Sequence, residues 1–196
     1  MTAMSFIVGV VSTVSSYYWW TKDWWQPHTI TGTKVGIEDF ITGFAVGGIM
    51  AGIYEVIFRK KYTSGEKNFL APKGIIILLT LSQITTWFIW GVGTTTFVAS
   101  VIAMFLAASI MFYYRRDLII NGLWSGVLMV IVSLLSYGTI ILIHPLWATE
   151  TYLFQNLSGI RVLGFPVEEF VFWFLAGVVW GPLFEYWHNE HERKYG

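Results

Sequence analysis

Pro-Val-Glu-Glu-Phe at residues 166–170 opens an apolar run that ends on Phe184 and Glu185. The same pattern occurs earlier, where Gly-Ile-Glu-Asp-Phe at residues 36–40 opens an apolar run that ends on Tyr54 and Glu55. In both copies the second acid and the closing glutamate are 16 residues apart (39 to 55, and 169 to 185). Acids on membrane-length helices are costly to bury, so a repeated arrangement of them indicates a function.

The composition around these two stretches is that of a membrane protein. Hydrophobic residues make up 55% of the 196 residues and charged residues only 12%, against roughly 25% charged residues in soluble domains. The net charge is zero, so nothing indicates a nucleic-acid partner. The chain has no cysteine, which excludes disulfides and thiolate catalysis.

Hydropathy predicts an all-α bundle of about six membrane-spanning helices, close to the roughly 17–25 residues that a crossing needs. The predicted spans are 3–20, 38–58, 74–90, 96–113, 118–143 and 168–187. The 11 Trp and 10 Tyr residues cluster at the ends of the apolar runs, which is typical of aromatic belts at the membrane interface. Residues 146–157 are predicted to form a short interfacial helix.

The basic residues predict the orientation, since short cytoplasmic loops are enriched in Lys and Arg. With six spans, three basic segments share one side of the membrane, which we predict to be the cytoplasmic side. Both termini are then cytoplasmic, and the membrane is predicted to be the cell membrane. Their residues are Arg59, Lys60, Lys61, Lys67, Lys73, Arg115, Arg116, Arg193 and Lys194. The acid pairs then lie near the outer face, and the closing glutamates lie about 24 Å away near the inner face.

The repeated pattern also predicts the domain organisation. We expect one membrane domain over residues 1–196, with repeat A at about 3–58, intervening helices at 74–113 and repeat B at about 118–187. Both acid helices, 38–58 and 168–187, run in the same direction in this arrangement. The repeats are therefore predicted to be parallel, with a pseudo-two-fold axis along the membrane normal.

The doubled pattern, with Pro-x-Glu-Glu at residues 166–169, resembles the small membrane-integral lycopene cyclases, which occur as two short subunits, as one fused chain or within a bifunctional protein. The resemblance covers roughly residues 20–58 and 144–187. Its first copy has Gly36 where the family usually has proline. The family implies a cofactor-free isomerisation, in which a proton adds to a terminal double bond of lycopene, the cation closes a β-ionone ring, and a proton is lost.

The acids suit this chemistry, because proton transfer to carbon is a task for general acid catalysis by a carboxylic acid. We predict Glu168 and Glu169 as proton donor and partner, with Glu38 and Asp39 as a second pair or base. Aromatic faces stabilise a cation without attacking it. The predicted substrate-binding residues are Phe40, Phe170, Phe172, Trp173, Arg161 and Lys34.

Several of these residues have a simpler interpretation. The acid pairs suit any helix N-terminus, where the helix dipole favours negative charge, and Arg161 and Lys34 are either counter-ions or interfacial anchors. Glu55 and Glu185 are secondary acids that either pair with Arg59 and His188, line the far end of a channel, or lock neighbouring helices. The charged tail after His188 is interpreted as solvated, so no metal site is predicted.

Two classes of function remain from the sequence, with a weaker third. The first is an enzyme acting on an apolar polyene or isoprenoid dissolved in the bilayer. The second is a non-catalytic or partner-requiring membrane subunit of the same fold, in a homo- or hetero-oligomer. A proton or ion conductor is the third, but the acid helices have no obvious polar stepping-stone across the gap of about 24 Å between the acids. No lysine lies in the middle of a span and no Gly-x-Gly-x-x-Gly motif is present, which argues against a retinal Schiff base and a flavin-dependent cyclase.

Overall fold

The computed structural model describes residues 2–64 and 71–192, and most of them are helical. A π-helical turn, Ser16–Trp20, joins α1 to α2. The helices are α1 (Thr2–Ser15), α2 (Thr21–Asp23), α3 (Ile37–Met50), α4 (Ile53–Phe58), α5 (Ala71–Gly91), α6 (Thr96–Tyr114), α7 (Ile119–Ile143), α8 (Trp147–Thr151), α9 (Val167–Trp180) and α10 (Leu183–His188). Short 3-10 turns lie at Arg116–Leu118 and Phe154–Asn156.

Four helical segments in the described part of the chain are long and apolar enough to cross a membrane. They are Ile37–Phe58, Thr96–Tyr114, Arg116–Ile143 and Val167–His188. The predicted all-α membrane fold is confirmed. The predicted spans at 3–20 and 74–90 are also helical, but they are not among these four, so their crossing stays a prediction. Lys67, Arg193 and Lys194, which contribute to the predicted orientation, lie outside the described residues.

Both acid helices are interrupted, where the sequence predicts continuous helices at 38–58 and 168–187. α3 and α9 each have 14 residues, and α4 and α10, which follow a two-residue break, each have six. The breaks contain Gly52, a weak helix former, and Pro182, which has no backbone N–H to donate. Each helix then ends on a left-handed residue, Arg59 or Asn189. This equal construction supports the predicted repeat, which stays a prediction.

The first acid helix packs antiparallel on α1 through glycines. A Cβ atom added at Gly43 would lie 2.6 Å from Cβ of Ser12, and one added at Gly47 would lie 2.7 Å from Cβ of Val8. The residue number of the contact on α1 decreases as the residue number on α3 increases, so the two helices are antiparallel. Small residues on membrane helices allow this close approach.

The second acid helix packs antiparallel on α7 in the same way. Gly122 faces the backbone oxygen of Val178, and Gly126 faces that of Phe174. A Cβ atom added at Gly177 would lie 2.6 Å from the backbone oxygen of Ser125. Each acid helix is thus paired with a helix that precedes it in the chain, α3 with α1 and α9 with α7. Short elements and loops connect the two helices of each pair.

Short strands complete the ends of the bundle. β1 (Tyr62–Ser64) and β4 (Glu190–Glu192) follow the two acid helices and pair antiparallel with each other. β2 (Arg161–Val162) and β3 (Phe165–Pro166) form a hairpin directly before α9. Leu163 and Gly164 turn this hairpin with φ of 51° and 82°, the pair of positive φ values that a type I′ turn requires.

The predicted interfacial helix at 146–157 is wrong in its length. α8 ends at Thr151 because the following backbone pairs with the segment after α2. Leu153 N–H donates to the oxygen of Trp24 at 2.9 Å, and Gln26 N–H donates to the oxygen of Thr151 at 2.7 Å. The loops before the two acid helices are therefore tied together directly.

Candidate active site

A cavity of about 390 Å³ lies inside the bundle, and acids from both acid helices line it. These acids are Asp39 of α3 and Glu169 of α9, the second acid of each predicted pair. Both are buried, at 6% exposure. The volume falls within the roughly 300–1,000 Å³ of small-molecule sites. We call the end of the bundle that carries Asp39 and Glu169 the acid end, and the end that carries Glu55 and Glu185 the far end.

The first acid of each pair has a different task, which the sequence did not separate from that of the second. Oε1 of Glu168 accepts a hydrogen bond from the backbone N–H of Ser158 at 2.6 Å. Oε1 of Glu38 accepts one from the backbone N–H of Ile30. Neither acid lines the cavity. Glu38 and Glu168 therefore fasten the loops that precede their helices, and the two carboxyls of each predicted pair act in separate places.

Glu169 is held by a hydrogen-bonded chain of aromatic side chains. The Tyr137 hydroxyl donates to Oε2 of Glu169 at 2.5 Å, and Nε1 of Trp173 donates to the Tyr137 oxygen at 2.7 Å. The hydroxyl of Tyr152 is a further neighbour of this carboxyl. Hydrogen bonds in a buried network of this kind fix the position of each member.

Tyr152 remains a neutral donor beside this network. It lies in the loop between α8 and α9 and is 5% exposed. Burial, with the charge of Glu169 as the second cause, raises the pKa of Tyr152 well above its ordinary value. The loop thus supplies a hydroxyl that keeps its proton at any physiological pH.

Asp39 is set in the first turn of α3. Its Oδ2 accepts a hydrogen bond from the backbone N–H of Gly36 at 3.0 Å. Its backbone oxygen accepts one from the Ser12 hydroxyl of α1 at 3.3 Å. These two hydrogen bonds fix the position of Asp39 at the start of α3.

The match to a known family covers one of these two acids. The lycopene cyclase family matches residues 94–187. These residues, which make up just under half of the chain, are similar to that family. The match supports carotenoid cyclisation as the general function and contains Glu169 and Tyr137, whereas Asp39 lies before it. No curated protein and no solved structure matches the chain.

Aromatic side chains form much of the cavity wall. Phe172 and Trp173 line it, as do Trp19, Trp20 and Trp24. The aromatic-belt interpretation is wrong for Trp19 and Trp24, which are 2% and 3% exposed. They turn inward because the segment after α1 folds over the acid end and packs on α9, with the rings of Trp24 and Phe172 at 5.0 Å.

Four predicted substrate-binding residues lie outside the cavity wall. Phe40 packs on Phe6 at 5.8 Å between ring centroids, and Phe170 packs on Tyr137 at 5.9 Å. Lys34 is exposed. Arg161 is also exposed, and its guanidinium lies 3.7 Å above the ring of Phe154.

Glu55 and Glu185 meet at the far end, away from the cavity. Glu185 is 1% exposed. Its Oε1 accepts a hydrogen bond from Nδ2 of Asn121 at 3.5 Å, and the carboxyl of Glu55 is its neighbour. His188, the predicted partner of Glu185, instead places Nδ1 3.2 Å from the backbone oxygen of Phe184. The two secondary acids thus connect α4, α7 and α10. This arrangement is the one expected if they lock neighbouring helices.

Sequence reasoning missed the two tyrosines that contact Glu169. Tyr137 is the only tyrosine within the apolar α7, and a buried tyrosine hydroxyl normally has a hydrogen-bond partner. That rule would have singled out Tyr137. Tyr152 gave no such signal, because it lies among the Trp and Phe residues of a loop.

Proposed function

We propose that this chain catalyses the acid-catalysed cyclisation of lycopene ends to β-ionone rings. The observation that carries the proposal is that Asp39 and Glu169, from two different helices, line one aromatic cavity. A cyclisation through a cation needs an acid, a base and a site that excludes water. The family match over residues 94–187 supports the same general chemistry.

The two acids have distinct roles in this proposal. Glu169 gives its proton to the terminal double bond of the polyene, which forms a C–H bond and leaves a tertiary cation. A neighbouring double bond attacks this cation and closes the six-membered ring. Asp39, positioned by the Gly36 N–H, removes a proton from the ring carbon next to the new cation and so forms the ring double bond. Atoms and electrons balance as an isomerisation, and the proton then returns from Asp39 to Glu169.

The cavity wall supports the cationic stage of this reaction. The faces of Trp20, Phe172 and Trp173 stabilise positive charge without acting as nucleophiles. The Tyr137 hydroxyl holds Oε2 of Glu169 at 2.5 Å and fixes the position from which the proton leaves. Positioning of this kind supplies a large part of catalysis in general.

The test uses cells that make lycopene and carry the wild-type chain or single amide variants. We expect wild type to convert lycopene into monocyclic or bicyclic carotene. Glu169→Gln and Asp39→Asn should leave lycopene unconverted and lower the yield of cyclic carotene roughly 100-fold or more. Glu168→Gln and Glu38→Gln are the matched controls, because they make the same chemical change in acids that fasten loops. Extracted pigments are separated by chromatography and normalised to membrane protein level.

Two results contradict the proposal. If Glu168→Gln abolishes cyclisation while Glu169→Gln retains it at equal protein level, the assignment of the acids is wrong. If folded wild-type protein leaves lycopene untouched, and adding a candidate partner subunit does not restore cyclisation, the alternative of a non-catalytic isoprenoid-binding member of the fold replaces it.

We also propose that the chain lies in the cell membrane with both termini in the cytoplasm. The absence of native cysteine allows a direct test with single cysteines. Ile30→Cys, at a position that is 89% exposed, should react with a membrane-impermeant maleimide in intact cells. Arg116→Cys, in an exposed turn, should react only after the cells are opened. The reverse pattern would show the opposite orientation.

A further inference from the structure

Two residues of the cavity wall are also exposed on the outside of the bundle. Thr42 of α3 and Ser136 of α7 both line the cavity, and both are exposed on the outside of the bundle. A side chain that belongs to a cavity wall and to the outer surface marks the rim of an opening. We call the gap between α3 and α7 at these two residues the seam.

The seam lies beside both acids of the cavity. Thr42 follows Asp39 by three residues, which places it on the same face of α3 one turn further. Ser136 directly precedes Tyr137, whose hydroxyl donates to Glu169 at 2.5 Å. A molecule that passes the rim therefore arrives at the acids without crossing the rest of the bundle.

The same two helical segments are closed against each other at the far end. The rings of Phe58 and Trp124 pack at 5.1 Å, and Glu185 faces Glu55 and Asn121 there. α3 packs mainly on α1, and α7 packs mainly on α9, whereas contacts between α3 and α7 themselves are weak. The two segments are thus joined at the far end, whereas α3 and α7 are not a packed pair.

The outside of the seam is suited to hydrocarbon. Ile41 and Leu135, next to the rim in sequence, are 59% and 69% exposed, and both belong to segments apolar enough to cross a membrane. The Ser136 hydroxyl donates to the backbone oxygen of Val132 at 2.9 Å. A serine satisfied within its own helix in this way leaves no donor that an apolar ligand must desolvate.

We infer that the seam is a lateral entrance through which the end of an apolar polyene passes from the bilayer directly to Asp39 and Glu169. The identity of the occupant rests on the proposed function, whereas the entrance itself rests on the geometry. Thr42 and Ser136 form its rim, and the contacts at the far end hold the two helical segments together.

The experiment measures access to the cavity without turnover. Ser133→Cys places the chain's single thiol at a position that lines the cavity and is 5% exposed. A long-chain N-alkylmaleimide dissolved in lipid vesicles then reports how fast an apolar molecule reaches this thiol. Thr42→Phe with Ser136→Phe fills the rim, while Ile41→Phe with Leu135→Phe adds the same rings on neighbouring exposed positions.

We expect the rim variant to slow labelling of the thiol by roughly tenfold or more, because it lowers the association rate. The control variant should keep the rate of the parent, and lycopene in the vesicles should slow labelling of the parent. The entrance is overturned if the rim and control variants label equally fast, or if the parent thiol does not react.

Parallel turnover measurements separate this inference from the proposed function. If the rim variant slows labelling but wild type does not cyclise lycopene, the entrance stands and the proposed function fails. If Glu169→Gln in the Ser133→Cys parent stops cyclisation but labels at the parent rate, and the rim variant slows labelling, both stand. If cyclisation continues unchanged in the rim variant, the substrate uses another route and the entrance fails.

Discussion

At the scale of residues, adjacent acids have different tasks because their neighbours differ. Glu168 and Glu169 are consecutive, yet one accepts a loop N–H and the other accepts a tyrosine hydroxyl at the cavity. Glu38 and Asp39 are divided in the same way. Successive residues on a helix point about 100° apart, so only one acid of each pair can face the cavity.

Tyr137→Phe tests whether the orientation of Glu169 matters for catalysis. The change removes the donor to Glu169 and the acceptor of Trp173 Nε1 while keeping the ring. We expect cyclisation to fall roughly 10- to 100-fold, since leaving a buried polar group without its hydrogen-bond partner costs about 1–3 kcal/mol. Tyr114→Phe, on the exposed end of α6, is the matched control. Equal activity of both variants in pigment analysis would show that Tyr137 only fills space.

At the scale of elements, glycines decide how the acid helices are seated. Gly177 lets α9 approach Ser125 of α7, and Gly43 lets α3 approach Ser12 of α1. Membrane helices gain little from the hydrophobic effect between one another, so close packing supplies much of their association. The position of each cavity acid along the bundle axis depends on these crossings.

Gly177→Val is expected to destabilise the α7–α9 pair, because its Cβ would lie 2.6 Å from a backbone oxygen that cannot move aside. The cost of such overpacking is about 1–3 kcal/mol or more. Gly138→Ala, on α7 with nothing within 4 Å of the added Cβ, is the control and should be neutral or stabilising by up to about 1 kcal/mol. Thermal unfolding in detergent measures both. A Gly177→Val protein as stable as Gly138→Ala would contradict the close crossing.

At the scale of the whole molecule, the far end joins the two acid helices. β1 pairs with β4, and Glu55 faces Glu185 beside Asn121. Within the described residues, Oε2 of Glu185 has no partner in hydrogen-bonding geometry. A buried arrangement of two carboxyls suffers from like-charge repulsion when both are ionised. These acids therefore join the two acid helices at the far end, and a neutral side chain at position 185 avoids this repulsion.

Glu185→Gln is expected to retain the fold and to unfold at an equal or higher temperature, because the amide keeps the shape of the buried carboxyl and cannot become charged. Glu185→Ala should destabilise by about 2–3 kcal/mol, since it leaves a cavity in a site that is 1% exposed. Glu150→Gln, in the exposed contact with His144 at 2.8 Å, is the control. If Glu185→Gln were as unstable as Glu185→Ala, the ionised carboxylate itself would be needed.

The sequence predicted much of this arrangement, with limits that particular residues show. The residues around Glu168 and Glu169 predicted the acid helices, the spacing of their acids and the resemblance to a family. The breaks at Gly52 and Pro182 were not predicted, although both residue types weaken a helix. Trp19 and Trp24 were assigned to the interface, since aromatic residues at the ends of apolar runs usually lie there.

The sequence by itself determined that this protein is an all-α membrane bundle with two acid helices. Hydropathy and the cost of burying charge act locally, so a run of apolar residues closed by acids is enough to define such helices. The tertiary structure alone decided that Asp39 and Glu169 share a cavity, that Glu55 meets Glu185, and that Thr42 and Ser136 are exposed on the rim of that cavity. Those relations depend on how each helix is rotated and where it crosses its neighbours. Rotation and crossing are set by contacts between residues that are far apart in the chain.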